Sequence, residues 1–165
     1  MRFAPAAAAL SLAFAVTASV GLGQERDPDP RAGVLIAQGQ AALEAGDTQG
    51  AVDAFEAALT VDPGYTPVFL RLAEAARRDN LQGKAIIHYR QALSRDPANV
   101  AALAGEGAAL AEKGALEKAR VNLGKVQSLC GSCAEVDALS AAIATGPLMP
   151  VLTAEASASD LPQQN

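Results

Sequence analysis

The sequence predicts an all-α protein, an α-solenoid of about three helix–turn–helix units closed by a C-terminal capping helix. Three observations carry that expectation. Alanine and leucine supply most of a 50% hydrophobic content, and four phenylalanines, two tyrosines and no tryptophan leave little of what strands prefer. A face of apolar positions spaced i, i+4, i+7, i+8 returns at an offset of 34 residues. The first two copies of that face end on Asp-Pro, and proline cannot continue a helix.

Residues 1–23 read as an export signal. Arg2 is a minimal positive head, residues 6–20 form an apolar run, and Gly21-Leu22-Gly23 places small side chains where a cut before Gln24 needs them. The run is about 15 residues, short of the ~20 that span a bilayer. The alternative is an uncleaved N-terminal anchor, the one reading that brings membrane contact. No cysteine follows the run, which disfavours a lipid anchor. An exported chain, with the periplasm as the expected compartment, is one in which disulfides persist.

Residues 24–31 (QERDPDPR) are charged, hold Pro28 and Pro30, and have the composition of a linker. The repeat region follows over residues 32–144. In it AVDAFEAALTVDP (51–63) aligns with AIIHYRQALSRDP (85–97): Ala51 with Ala85, Phe55 with Tyr89, Ala58 with Ala92, Asp62-Pro63 with Asp96-Pro97. Another 34 residues on, Ala119, Leu123 and Val126 take the places of Ala85, Tyr89 and Ala92. A second apolar-periodic segment precedes each of these helices, marked by Val34, Leu35 and Leu43, then Phe69, Leu72 and Ala76, then Leu103, Gly107 and Leu110. Short turns around Gly46, Asn80 and Gly114 separate the two helices of each unit. Asp47 is a candidate N-cap, and Thr66 before Pro67 fits an N-cap with proline at the first helical position.

The units so defined are residues 32–65, 66–99 and 100–133. A capping helix over 134–144 puts Val136, Leu139 and Ile143 on one face, because the last unit of such a stack leaves an apolar face that something must cover. Residues 145–165 hold three prolines and small polar residues without helical period, and read as a disordered tail.

This pattern resembles the tetratricopeptide repeat (TPR) family over roughly residues 32–130. The family sets small residues where paired helices approach and an aromatic between them. The second unit supplies Phe69, Leu72, Ala73, Ala76, Ala85, Tyr89, Ala92 and Pro97, close to a full match. The departures are Gln38, Ala42 and Glu106, and Gly131 where proline is usual. The resemblance implies an exported, bacterial-type interaction protein whose concave face, lined by the first helix of each unit, takes a partner segment. By family position that groove includes Ile36, Gln40, Leu43 and Glu44, then Leu70, Arg71, Glu74, Arg77 and Arg78, then Ala104, Ala108 and Glu112. Family members that grip a chaperone's terminal carboxylate use Lys and Asn where this chain has Ile36 and Gln40, so that clamp does not carry over. The arginines suggest a basic patch; solvated side chains partly paired to Glu74 are the competing reading.

Catalysis finds no support. His88, the single histidine, stands beside Tyr89 and Arg90, but no Ser, Cys or Asp lies at i±3 or i±4 from it, and at the repeat offset it aligns with Ala54 and Asn122. Cys130-Gly131-Ser132-Cys133 is the sharpest local motif. Haem attachment lacks its histidine, Ala134 standing there, and a closed zinc site lacks ligands. A structural disulfide, an exchanging dithiol and a metal shared within an oligomer remain open. No cofactor or metal site is expected from this chain alone. The net charge of −5 excludes the basic footprint of nucleic-acid binding. The expected function is a non-enzymatic interaction scaffold of the cell envelope with a protein or peptide partner. A thiol-active accessory factor in envelope disulfide or cytochrome assembly is the alternative, and with only three units stacking of copies into a homo-oligomer is a further option.

Overall fold

The computed structural model describes residues 26–147 and folds them into seven helices, with no strand among the described residues. These are α1 (Pro30–Glu44), α2 (Thr48–Val61), α3 (Pro67–Arg78), α4 (Gln82–Leu93), α5 (Val100–Glu112), α6 (Leu116–Cys130) and α7 (Ala134–Thr145). Consecutive helices pair as α1 on α2, α3 on α4 and α5 on α6, each pair leans on the next, and α7 lies across both α5 and α6.

The turn inside each pair is one piece of backbone used three times. Gly46, Asn80 and Gly114 have φ of 82°, 58° and 88°. The amide after each reaches back to a carbonyl near the helix end: Asp47 N–H to Ala42 at 2.9 Å, Leu81 to Ala76 at 2.8 Å, Ala115 to Leu110 at 2.8 Å. This is a Schellman ending, and its left-handed residue favours glycine or asparagine because a larger L side chain crowds its own carbonyl there.

Packing follows the small residues. A β-carbon on Gly39 would stand 2.5 Å from the Phe55 ring, and one on Gly107 would stand 2.8 Å from Leu139. The Tyr89 ring likewise lies against Gly105, a contact that the repeat pattern did not flag. Phe55 is fully buried with Leu43, Val68 and Leu72; Tyr89 packs with Phe69, Ile86 and Leu110. A third cluster joins Leu103 and Val126 to Val136 and Leu139 of α7, as the capping role requires.

Two local expectations are corrected. Asp47 does cap α2, accepting from Gly50 N–H at 2.9 Å. Thr66 makes no side-chain cap on α3, because its own backbone is already helical (φ −55°, ψ −37°) and does not turn the hydroxyl toward the following amides. Residues 26–31 of the segment read as a linker are also docked: Asp29 caps α1 through Arg31 N–H at 2.9 Å, Pro30 and Arg31 open that helix, and Arg26 reaches Asp62. The expected signal at residues 1–23 and residues 148–165 of the expected disordered tail lie outside the described residues, while Thr145, where that tail was expected to start, still belongs to α7.

Candidate functional site

On the face formed by the first helices, α1 and α3 border a cleft of about 200 Å³ lined by Gln40, Leu43, Glu44, Arg71, Glu74 and Arg78. All six stand at positions expected to face the groove. Leu43 is buried and forms part of the α1–α2 core, so it offers the cleft an apolar floor rather than a protruding anchor. Ile36 and Leu70 are half-buried against the two adjoining cores.

The three arginines do not form a free basic patch. Arg71 pairs with Glu74 at 3.3 Å and Arg78 pairs with the same carboxylate at 2.9 Å. Arg78 also donates to the Leu43 carbonyl at 2.6 Å, closing the C-terminal end of α1 from the neighbouring unit. Arg77 leaves the cleft for α5, where its guanidinium holds Glu112 through two hydrogen bonds, one of them 3.2 Å. That bond raises the Arg77 pKa, and burial raises the Tyr89 phenol beside it while Arg77 draws it partly back. The cleft is therefore a mixed-charge surface with alternating signs.

Ala104 and Ala108 are a second correction. Both are buried in the cluster that α5 makes with Val136 and Leu139, so the capping helix withdraws the third unit's share of the expected groove. Sequence periodicity placed both residues correctly on α5 and α7 correctly as a cap, but it could not tell that one covers the other.

Two further polar arrangements went unread. Glu106, buried at a position the repeat pattern gives to leucine, accepts from Arg90 Nε at 2.7 Å and from Asn122 Nδ2 at 3.0 Å. Asp62 accepts from Arg26 at 2.9 Å and from Asp29 N–H at 3.0 Å, which lowers its pKa to about 2. The signal for Glu106 was present as a charged residue out of pattern; nothing in sequence spacing links Arg26 to Asp62.

His88 hydrogen-bonds through Nδ1 to Gln91 at 3.0 Å. Cys130, the last residue of α6, and Cys133, at the N-cap of α7, are joined as a disulfide in the structure, their Cα atoms 5.9 Å apart across Gly131 (φ 70°). Among the described residues no group of His, Cys, Asp and Glu side chains gathers as a metal site, and no helix is long and apolar enough to cross a membrane.

Residues 32–65, the pair α1–α2 with its connection to α3, match the family model for the tetratricopeptide repeat. The fold is a solenoid of tetratricopeptide repeats. Solved structures agree over most of the chain. The first TPR of Spaghetti (RPAP3), bound to an HSP90 peptide, aligns at 23% identity and TM-score 0.62, covering 74% of this chain and 99% of that one. The Sgt2 TPR domain from Aspergillus fumigatus aligns at 22% identity and TM-score 0.64, covering 72% and 78%. The Yersinia enterocolitica type III secretion chaperone SycD, in complex with a peptide of the translocator YopD, aligns at 20% identity and TM-score 0.62, covering 71% and 89%. No curated protein matches the sequence. Within this TPR array the α1–α3 cleft lies between the first helices of the first two repeats.

Proposed function

We propose that the chain is a non-enzymatic protein-interaction adaptor of the cell envelope, exported by its N-terminal segment, that holds a partner segment in the cleft between α1 and α3. The observation that carries the reading is the lining of that cleft, where Leu43 and the stems of Arg71 and Arg78 supply apolar contact and Glu44, Glu74 and the guanidinium groups alternate in sign. Two solved structures similar in fold have peptides bound, which supports the class of ligand and not its identity. The mixed charge favours a partner segment with both signs over an acidic terminus. The Cys130–Cys133 bridge serves as a staple that fixes the angle of α7, not as an exchanging dithiol.

Photo-crosslinking tests this. A crosslinking residue at Gln40 or at Glu74 captures a defined envelope partner, the same residue at Arg120 on α6 does not, and Arg71→Glu with Arg78→Glu removes the product. Identical capture from both faces rejects the cleft. Sequencing of the protein recovered from the producing cell checks export: the expected first residue is Gln24, and a chain that still begins at Met1 indicates the anchor instead.

A further inference from the structure

The outer face of the array carries a second surface, unrelated to the α1–α3 cleft. It lies between α4 and α6, the second helices of consecutive repeats. On α4, Gly83, Ile86, Ile87 and Arg90 stand at i, i+3, i+4, i+7; on α6, Lys118, Val121, Asn122 and Lys125 repeat that spacing. Each set is therefore one stripe of its helix. The two stripes border adjoining concavities of about 500 Å³ and 250 Å³, floored by Leu110 and Glu106 of α5.

The chemistry of this surface is apolar at its centre and cationic at its edge. Ile87 is 57% exposed and Val121 60% exposed, among the most exposed large hydrophobic residues described. Lys113, Lys118 and Lys125 surround them, and among the described residues none of the three is ion-paired. The one carboxylate lining the cleft, Glu106, is buried and already holds Arg90 and Asn122. In a chain of net charge −5, this is a local excess of positive charge beside uncovered apolar side chains.

We infer that this surface is the docking site for residues 148–160 of the same chain. That stretch, LMPVLTAEASASD, has the complementary composition: an apolar start, then Glu155 and Asp160, and no lysine or arginine. It leaves the structure at the right place. Ala142 and Ile143, in the last turn of α7, pack on the same core cluster as Ala115 and Leu116 at the start of α6, and Ala115 lines the larger concavity. Lys118 and Lys125 are separated by about 10 Å along their helix, whereas 13 residues reach about 43 Å when extended. The other stretch outside the structure, residues 1–25, is apolar too, but it carries Arg2 and joins the array at α1, at the opposite end of the stack.

Zero-length carbodiimide crosslinking of the full chain at low micromolar concentration, followed by peptide mapping, is the experiment. The expected result is Glu155 or Asp160 joined to Lys118 or Lys125 in the monomer. In parallel, the Ile87 and Val121 methyl resonances shift when Glu155→Lys and Asp160→Lys are introduced into the full chain, a readout that does not depend on crosslinking. The inference is overturned if the mapped links are missing, if the methyls do not move, or if the links occur only in a covalent dimer, which assigns the surface to a second copy. Links from these lysines to Glu25 in place of Glu155 and Asp160 overturn it in favour of the N-terminal stretch. None of these outcomes bears on the α1–α3 cleft, whose crosslinks are read at Gln40 and Glu74.

Discussion

The ring of Phe55 on α2 lies against Gly39 on α1, with no room for a methyl group between them. Gly39→Ala should therefore destabilise the protein by about 1–3 kcal/mol, since overpacking outweighs the gain of about 0.5–1 kcal/mol that alanine brings to a helix interior. Gly124, on α6, faces open space, and Gly124→Ala should show that gain alone. Denaturant midpoints measured by circular dichroism separate the two; equal effects at both sites would remove the packing argument.

Asn122 and Arg90 together satisfy the buried Glu106 carboxylate. Asn122→Ala should cost about 1–3 kcal/mol, because it strips a hydrogen bond from a buried charged group. The double change Glu106→Leu with Asn122→Leu should recover the loss or exceed it, since a buried polar set replaced by apolar residues of similar size is often neutral or stabilising. Thermal unfolding of the two variants decides this. A double variant weaker than Asn122→Ala would mean that the network holds α4 and α6 in place by more than its own bonds.

The Asp62 latch predicts an acid response with a fixed sign. Its carboxyl is lowered from 3.8 to about 2, chiefly by the hydrogen bond from Arg26, so the folded form binds this proton more weakly than the unfolded one. The stabilisation is present above pH ~4 and disappears as pH falls through about 2. Arg26 and the start of α1 should loosen over that interval, and Asp62→Asn should reduce the pH dependence to the part contributed by the Asp29 cap, whose carboxyl is also lowered by its bonds from Arg31, while leaving α5–α7 unchanged. A carboxyl-detected titration that finds Asp62 near its ordinary value would contradict the latch.

Three turns share one left-handed residue, so the cost of filling it is comparable at each. Gly114→Val should destabilise by about 1–2 kcal/mol, and Asn80→Gly should be neutral or slightly stabilising. Equilibrium unfolding measures both; a tolerated valine would show that the turn can re-form without the positive φ.

The repeat register was legible because it is local and redundant. Ala51, Ala85 and Ala119 fall at the same point of three similar helices, and Asp-Pro closes two of them, so one misread residue could not move the frame. The site was less legible because its geometry is set between elements. Arg77 was read as a groove residue from its place on α3, yet its guanidinium belongs to Glu112, 35 residues on. Asp62 and Asp96 occupy equivalent positions, but Asp96 accepts from Ala98 N–H at 3.2 Å in its own turn while Asp62 reaches back to Arg26 and Asp29. The difference lies in the neighbour: the first repeat has a chain entering above it, and the second has another repeat.

The seal that α7 places over Ala104 and Ala108 gives the array a polarity with consequences for engineering. Further copies of the unit can be spliced between Asp96-Pro97 and Asn99, where each new pair meets a surface already shaped for it. Appended after Thr145, the same unit would meet the outer side of α7 instead of α5, because Leu139 already fills the place against Gly107, so the molecule can be lengthened ahead of α7 but not beyond it.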